Sequence, residues 1–295
     1  MSGFIYSDLA IESAIIQSPD KTEHPEISEY DFGFAKLTEL KISDKELSGK
    51  HGRPIGKYIT ISTEQIWSLC ETELDALSSL IESELQKLIC ALVPTKEKKE
   101  IAALVVGLGN SDITPDAIGP QTTARLTVTR HIEKLDPNLF SRLKMCNVSA
   151  FVPGVLAQTG METLELIQGV VANTSPDVVL VIDALAARST QRLGRTVQIS
   201  DAGISPGSGI GNMRKDINKE TLGVPVIAIG VPTVVDSTTL VYDTLEAACI
   251  KNIPKEILEA LDNNRSFFVT PKECDKLCQS VSSLLADALE KTFTI

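Results

Sequence analysis

The sequence predicts an α/β fold with a mostly parallel central sheet flanked by helices, and three observations carry that reading. Apolar, β-branched runs recur at Ile101 to Val106, Val178 to Ile182 and Val224 to Val231, with the length of buried strands. Stretches of helical spacing separate them, so strand and helix alternate from about 101 to 250. Aromatic residues make up 4% of a chain that is 43% hydrophobic. The core must therefore come from Val, Ile, Leu and Ala, which suits a parallel sheet covered on both faces.

Each element follows from local chemistry. Residues 1 to about 57 are turn-rich and broken by Pro19, Pro25, Gly33, Gly49, Gly52, Pro54 and Gly56. Within them Leu37 to Ile42, and then Gly56 to Ser62, read as strands paired at one edge. Thr63 to Val93 reads as one long amphipathic helix, with Thr63 near its cap and Pro94 at its end. The strand from Ile101 runs into Gly107-Leu108-Gly109-Asn110-Ser111-Asp112-Ile113-Thr114-Pro115-Asp116. Thr114 reads as an N-cap and Pro115 as the first helical residue of a helix reaching about Ile132. A strand over Val148 to Val152, a loop at Pro153 to Gly160 and a helix over Met161 to Asn173 follow. The second buried strand ends on Asp183. Thr196 to Ser200 is a short strand, Asp201 to Asn212 a glycine-rich loop, Val234 to Cys249 a helix, and Pro271 to Phe293 a closing amphipathic helix.

Composition narrows the function. A formal charge of −11 disfavours non-specific nucleic-acid binding. The first residues lack a basic segment, and no apolar run approaches the roughly 20 residues of a membrane span, so a cytosolic setting is expected. Six cysteines are then expected to be reduced. Cys274 and Cys278 lie four apart on one helix face, without a C-x-x-C pair or a nearby histidine, which argues for packing rather than zinc.

Four motifs bear on chemistry. Gly203-Ile204-Ser205-Pro206-Gly207 fits the G-x-S-x-G pattern, but Pro206 leads into more loop and all three histidines precede Ser205, against the hydrolase order. Gly207 to Gly211 with Arg214 and Lys215 could cradle phosphate, although it lacks the G-K-[ST] ending and the dinucleotide spacing. His131-Ile132-Glu133 is the H-x-E fragment of deaminases without the P-C-x-x-C that completes it, so His131 reads as a charge near a helix C-terminus. The last is a pair, Asp116 and Asp183, each close behind a buried strand. If those strands are neighbours, both carboxylates face one crevice, and ionising both is costly. One could serve as general base toward water and the other as general acid toward an amide, with no metal required. Strand-end aspartates that only cap or bond loop amides remain the alternative.

At these residues the chain closely resembles the germination protease family of spore-forming bacteria (GPR endopeptidase, spore protease). The resemblance rests on Ser7-Asp8-Leu9-Ala10-Ile11-Glu12, Gly107-Leu108-Gly109-Asn110 with Thr114 to Pro120, Val128-Thr129-Arg130-His131, Pro153-Gly154-Val155, Thr159 to Thr163, Ile182 to Arg188, Gly203 to Asn212 and Gly223 to Asp236. It implies a fold similar to that of hydrogenase maturation proteases, with a single α/β peptidase domain over 9–295. It also implies an endopeptidase that degrades small acid-soluble spore proteins during germination, working in the forespore or spore core without a cofactor, and made as a tetrameric zymogen. The family's two proposed catalytic aspartates fall on Asp116 and Asp183. Its leader cut falls near Asp8-Leu9, making residues 1–8 a short leader. Backbone amides of the loop holding Gly207, Ser208, Gly209 and Asn212 are the candidates for steadying a developing oxyanion. The rival reading is a catalytically silent protein that binds spore proteins or nucleotides.

Overall fold

The computed structural model describes residues 7–17, 25–207, 215–250, 254, 256–257 and 267–295. The described elements are, in order, α1 (Ala10–Gln17), β1 (Glu26–Asp31), β2 (Ala35–Ile42), α2 (Lys45–His51), β3 (Gly56–Thr63), α3 (Glu71–Leu92), β4 (Ala102–Gly107), α4 (Ile118–Thr123), α5 (Arg130–Leu135) and α6 (Pro137–Leu143). They continue with β5 (Asn147–Phe151), α7 (Leu156–Thr159), α8 (Thr163–Thr174), β6 (Val178–Ala187), β7 (Thr196–Ser200), α9 (Lys219–Leu222), β8 (Val226–Asp236), α10 (Ser237–Ala247), β9 (Phe268–Val269) and the C-terminal helix α11 (Cys274–Phe293).

The strands form one mixed sheet in the order β1-β2-β3-β7-β8-β6-β4-β5, with β9 paired to β8. β8, β6, β4 and β5 are mutually parallel, and these are the apolar runs that the sequence marks as buried strands, β5 adding the edge. The strands expected at 37–42 and 56–62 do pair, and through β7 they extend the same sheet in antiparallel fashion. One face is covered by α3, α4 and α11, where Leu77, Ile81, Ile118, Leu277 and Leu285 meet Val105, Leu180, Ile182 and Ile229. The other face packs Leu104, Val106, Val179 and Val181 against Leu164, Ile167 and Val171 of α8. Both faces of β4 and β6 are thus sealed, which is why those strands read as unbroken hydrophobic runs.

Several boundaries differ from expectation for local reasons. The long helix begins at Glu71, not Thr63. Thr63 finishes β3, its N–H bonding the Arg195 carbonyl (2.8 Å) and its hydroxyl the Phe34 carbonyl (2.9 Å). Cys70 starts the helix instead, its N–H bonded at 2.9 Å by the Glu73 carboxylate reaching back. The helix expected from Asp116 to Ile132 splits into α4 and α5, and His131 falls near the start of α5 rather than at a helix C-terminus. β6 runs to Ala187 and β8 to Asp236, each beyond its expected end.

Candidate active site

The site is built where β4 leaves the sheet. Its last partner on β6 is Ile182, paired with Gly107, and the Leu108 N–H still bonds the Ile182 carbonyl at 2.8 Å. Asp183 is the next residue of β6. Sequence reasoning set it at a strand end. The structure sets it inside the strand, paired with Gly230 of β8 on one side only. It is exposed to function because its neighbour strand stops, not because its own does. Strand alternation puts it in the row of Val179 and Val181, and it is 7% exposed. Its Oδ1 accepts the Ala184 N–H at 3.0 Å.

Asp116 comes back to the same point on a loop. Thr114–Asp116 is a single 3₁₀ turn with Pro115 at its start; Ile113 precedes it, so Thr114 is not the cap, and the α-helix proper begins at Ile118. Two glycines permit this. Gly109 has φ +112°, and a Cβ there would lie 2.0 Å from the Asp116 carbonyl oxygen. Gly119 lets α4 press on the strand end, since a Cβ would lie 2.2 Å from the Leu108 carbonyl oxygen. The Asn110 N–H donates to Asp116 Oδ2 at 2.8 Å. From behind, Cys278 of α11 donates its thiol to the Thr114 carbonyl (3.1 Å), and Ser282, one turn on, donates to the Ile118 carbonyl (3.4 Å). Burial pushes the Cys278 thiol far up from its ordinary value, with Cys274 adding to the effect, so it stays a neutral donor.

Both aspartates line one cavity of about 320 Å³, with Asp8, Gly109, Thr163, Pro206, Gly207, Thr233 and Phe268 also on its wall. Thr163 opens the 12-residue α8, whose N-terminus carries the positive end of the helix dipole. A smaller cavity of about 60 Å³ adjoins it, sharing Asp8, Asp183 and Gly207 and adding Arg53, Tyr58, Gln198 and Ser205. Of the residues expected to steady an oxyanion, Gly207 lines both cavities. Ser208, Gly209 and Asn212 lie outside the described residues, as do the loop's Gly211 and Arg214. Ser205 donates its hydroxyl to Asp216, and no histidine among the described residues lines either cavity, in keeping with the rejection of a serine nucleophile.

The segment expected to carry the leader cut lies in the same place. The Asp8 N–H donates to the Ala186 carbonyl (2.8 Å), and the Ala186 N–H donates to the Asp8 carboxylate (2.8 Å). Leu9 is wholly buried with Leu185, Ala187 and Val235. Glu12 locks the start of α1 by accepting the Arg188 and Ser189 N–H groups (2.8 and 3.2 Å) and the Arg192 guanidinium (3.2 Å).

Sequence reasoning missed Thr233. Leu185 pairs with Pro232 and Ala186 with Val234, so Thr233 is the extra residue of a β-bulge in β8. It is 1% exposed, and its hydroxyl has no partner among the described residues. Pro232 inside a strand run was the available signal, because proline in a central strand marks a bulge.

Comparison with known proteins identifies the family. The family model for germination protease matches residues 9–266. The chain belongs to the germination protease family. It is 39% identical over 305 residues to the germination protease of Caldanaerobacter subterraneus, spanning 96% of this chain and 92% of that one. Identity to the Clostridium perfringens germination protease is 40% over 276 residues, covering 86% and 83% of the two chains. The Clostridium tetani relative is 36% identical over 312 residues, covering 97% and 94%. Among solved structures, a [NiFe] hydrogenase maturation protease, HycI from Thermococcus kodakarensis, aligns with a TM-score of 0.36 at 18% identity, over 64% of this chain and 93% of that one. Family membership makes the chain a peptidase of spore germination. Among the described residues no helix is long and apolar enough to cross a membrane.

Proposed function

We propose that the chain is an aspartic-type endopeptidase, made as a zymogen, that initiates degradation of small acid-soluble spore proteins in the spore core during germination. The observation that carries this reading is the meeting of Asp116 and Asp183 on one 320 Å³ cavity at the open edge of β6. The two carboxyl groups share one proton. One takes a proton from the attacking water, and the other gives one to the departing amide nitrogen. The Gly207 amide and the positive N-terminal end of α8 favour the carbonyl oxygen as it gains charge.

The zymogen reading is supported by Asp8, which lines both cavities beside Asp183 and is bonded to Ala186 of β6. A cut near Asp8-Leu9 releases residues 1–8 as the leader, and residues 9–295 act as one peptidase domain. The net charge of −11 fits a protein that takes spore proteins rather than the DNA they coat. Assembly as a homotetramer follows from the family resemblance.

The test is incubation of the purified chain with a small acid-soluble spore protein. Discrete fragments, a new N-terminus at or next to Leu9, and loss of both in Asp116→Asn and Asp183→Asn are expected. An intact substrate with a correctly folded, leader-free chain would leave only a binding role. Light scattering of the same sample reads the assembly, with four copies expected.

A further inference from the structure

Four groups that face Asp183's surroundings are occupied by the chain's own residues 7 and 8. The Ala186 N–H and carbonyl both bond Asp8 at 2.8 Å. Gln198 Nε2 donates to the Asp8 carbonyl at 3.2 Å. Arg53 Nη2 donates to the Ser7 carbonyl. Arg53 and Gln198 also line the small cavity beside Asp183. Ser7 and Asp8 therefore already lie beside β6 beyond the point where β4 departs, held by three bonds to their main chain and one to the Asp8 carboxylate.

Neither side chain is placed there by accident of packing. Arg53 follows Gly52, whose left-handed φ of +62° ends α2 and turns the chain toward the site. Its guanidinium is oriented by a second bond, Nε to the Ser13 hydroxyl at 3.1 Å. Gln198 sits in β7, and its amide is oriented by the Ala10 N–H, which donates to its Oε1 at 2.7 Å. Both anchors of orientation, Ala10 and Ser13, come after the leader and stay when it goes. Loss of residues 1–8 would strip the Ser7 and Asp8 partners from donors that remain aimed at the groove. Both side chains are half-buried and held in place by Ser13 and Ala10, so the vacated donors are preorganised for another peptide main chain.

We propose that Arg53 and Gln198, with the main chain of Ala186, form the subsite that binds the substrate's extended backbone next to the scissile bond, and that Ser7-Asp8 fills it in the unprocessed chain. The inference rests on the protease reading above. Arg53 holds a substrate carbonyl one residue before the position that Asp8 takes. It contributes binding rather than proton transfer, because a guanidinium stays protonated across the working pH range. Arg53 is more than 60 residues from either aspartate in sequence, and nothing in its local run marks it.

The test is steady-state cleavage of a small acid-soluble spore protein by the processed wild type, Arg53→Gln and Arg53→Lys, with leader release followed by N-terminal sequencing. Losing a charged hydrogen bond to the substrate main chain should raise KM about 10-fold or more in Arg53→Gln while kcat changes little. Arg53→Lys, which keeps a cationic donor, should recover part of that loss. Thermal unfolding of each processed variant separates a folding defect, which would lower kcat and the unfolding midpoint together. An unchanged KM in folded, processed Arg53→Gln overturns the subsite alone. A KM raised equally in both variants overturns the donor role. A wild type that cleaves nothing overturns the protease reading, and this inference falls with it.

Discussion

Asp116 and Asp183 reach the same cavity by opposite routes. Asp183 is fixed by the sheet: β6 is buried on both faces and paired with β8, and the residue takes its place from strand alternation. Asp116 rides a loop of irregular backbone, and its supports include Gly109 at φ +112°, the Asn110 N–H, and the Cys278 and Ser282 side chains from α11 behind. A carboxylate on a packed strand needs only its neighbour strand to end. A carboxylate on a loop needs dedicated supports, and these can be removed one at a time.

The sharpest way to break the comparison is chemical. Asp116→Asn and Asp183→Asn should each lower the cleavage rate by about 10²- to 10⁴-fold, the usual range for losing a general acid or base. Circular dichroism and the unfolding midpoint should barely move in either. A variant retaining full activity would remove that aspartate from the chemistry.

Packing should then separate the two supports. In Gly119→Ala the new Cβ meets backbone, the Leu108 carbonyl oxygen at 2.2 Å, so α4 must shift; about 3 kcal/mol of destabilisation and a large loss of activity are expected. In Gly230→Ala, opposite Asp183, the three atoms nearest the Cβ all belong to the Leu185 side chain, from 2.4 Å, and a side chain can shift where backbone cannot; about 1 kcal/mol and retained activity are expected. Urea unfolding with a cleavage assay measures both. Equal losses would mean that loop and strand are supported alike.

A pH scan addresses the support from α11. The folded-state value of the Cys278 thiol lies above its ordinary 9.0, by burial first and by Cys274 next. Stability tied to the neutral thiol is therefore fully present below about pH 9 and is lost as pH rises past it, because the unfolded chain ionises first. Tyr58, also raised by burial, acts in the same direction. Cys278→Ala should be less stable than wild type at pH 7 yet show a shallower fall between pH 8 and 11. An identical fall would assign the alkaline sensitivity elsewhere. The smallest effect is Ser282→Ala, which removes a 3.4 Å hydrogen bond and should cost about 1 kcal/mol or less, with activity lowered only through the position of Asp116.

Much of this was legible beforehand because it is local. The buried strands announce themselves by continuous Val, Ile and Leu, and Gly107 to Asp116 announces a sharp exit from the sheet followed by a proline-led turn. Helix starts were less legible. Thr63 looked like a cap, but tertiary hydrogen bonds to Arg195 and Phe34 kept it in β3. Asp183 looked like a strand end because the apolar run pauses there; the strand continues through Ala184 to Ala187, sheltered by β8 and by Leu9. Arg53 and Gln198 gave no signal, since their meeting with Ser7 and Asp8 depends on antiparallel strands added at the far side of the sheet.

By itself the sequence determined the α/β class, the parallel strands at its centre, the loop that returns Asp116, and, through its motifs, the family. These follow from residue type and spacing, which act over a few residues. Only the tertiary structure decided that β4 stops one residue short of Asp183, that a bulge places Thr233 on the cavity wall, and that the chain's own Ser7 and Asp8 lie in the groove. Each of these depends on where one strand ends relative to another, and that register is set by packing the whole sheet rather than by any local run.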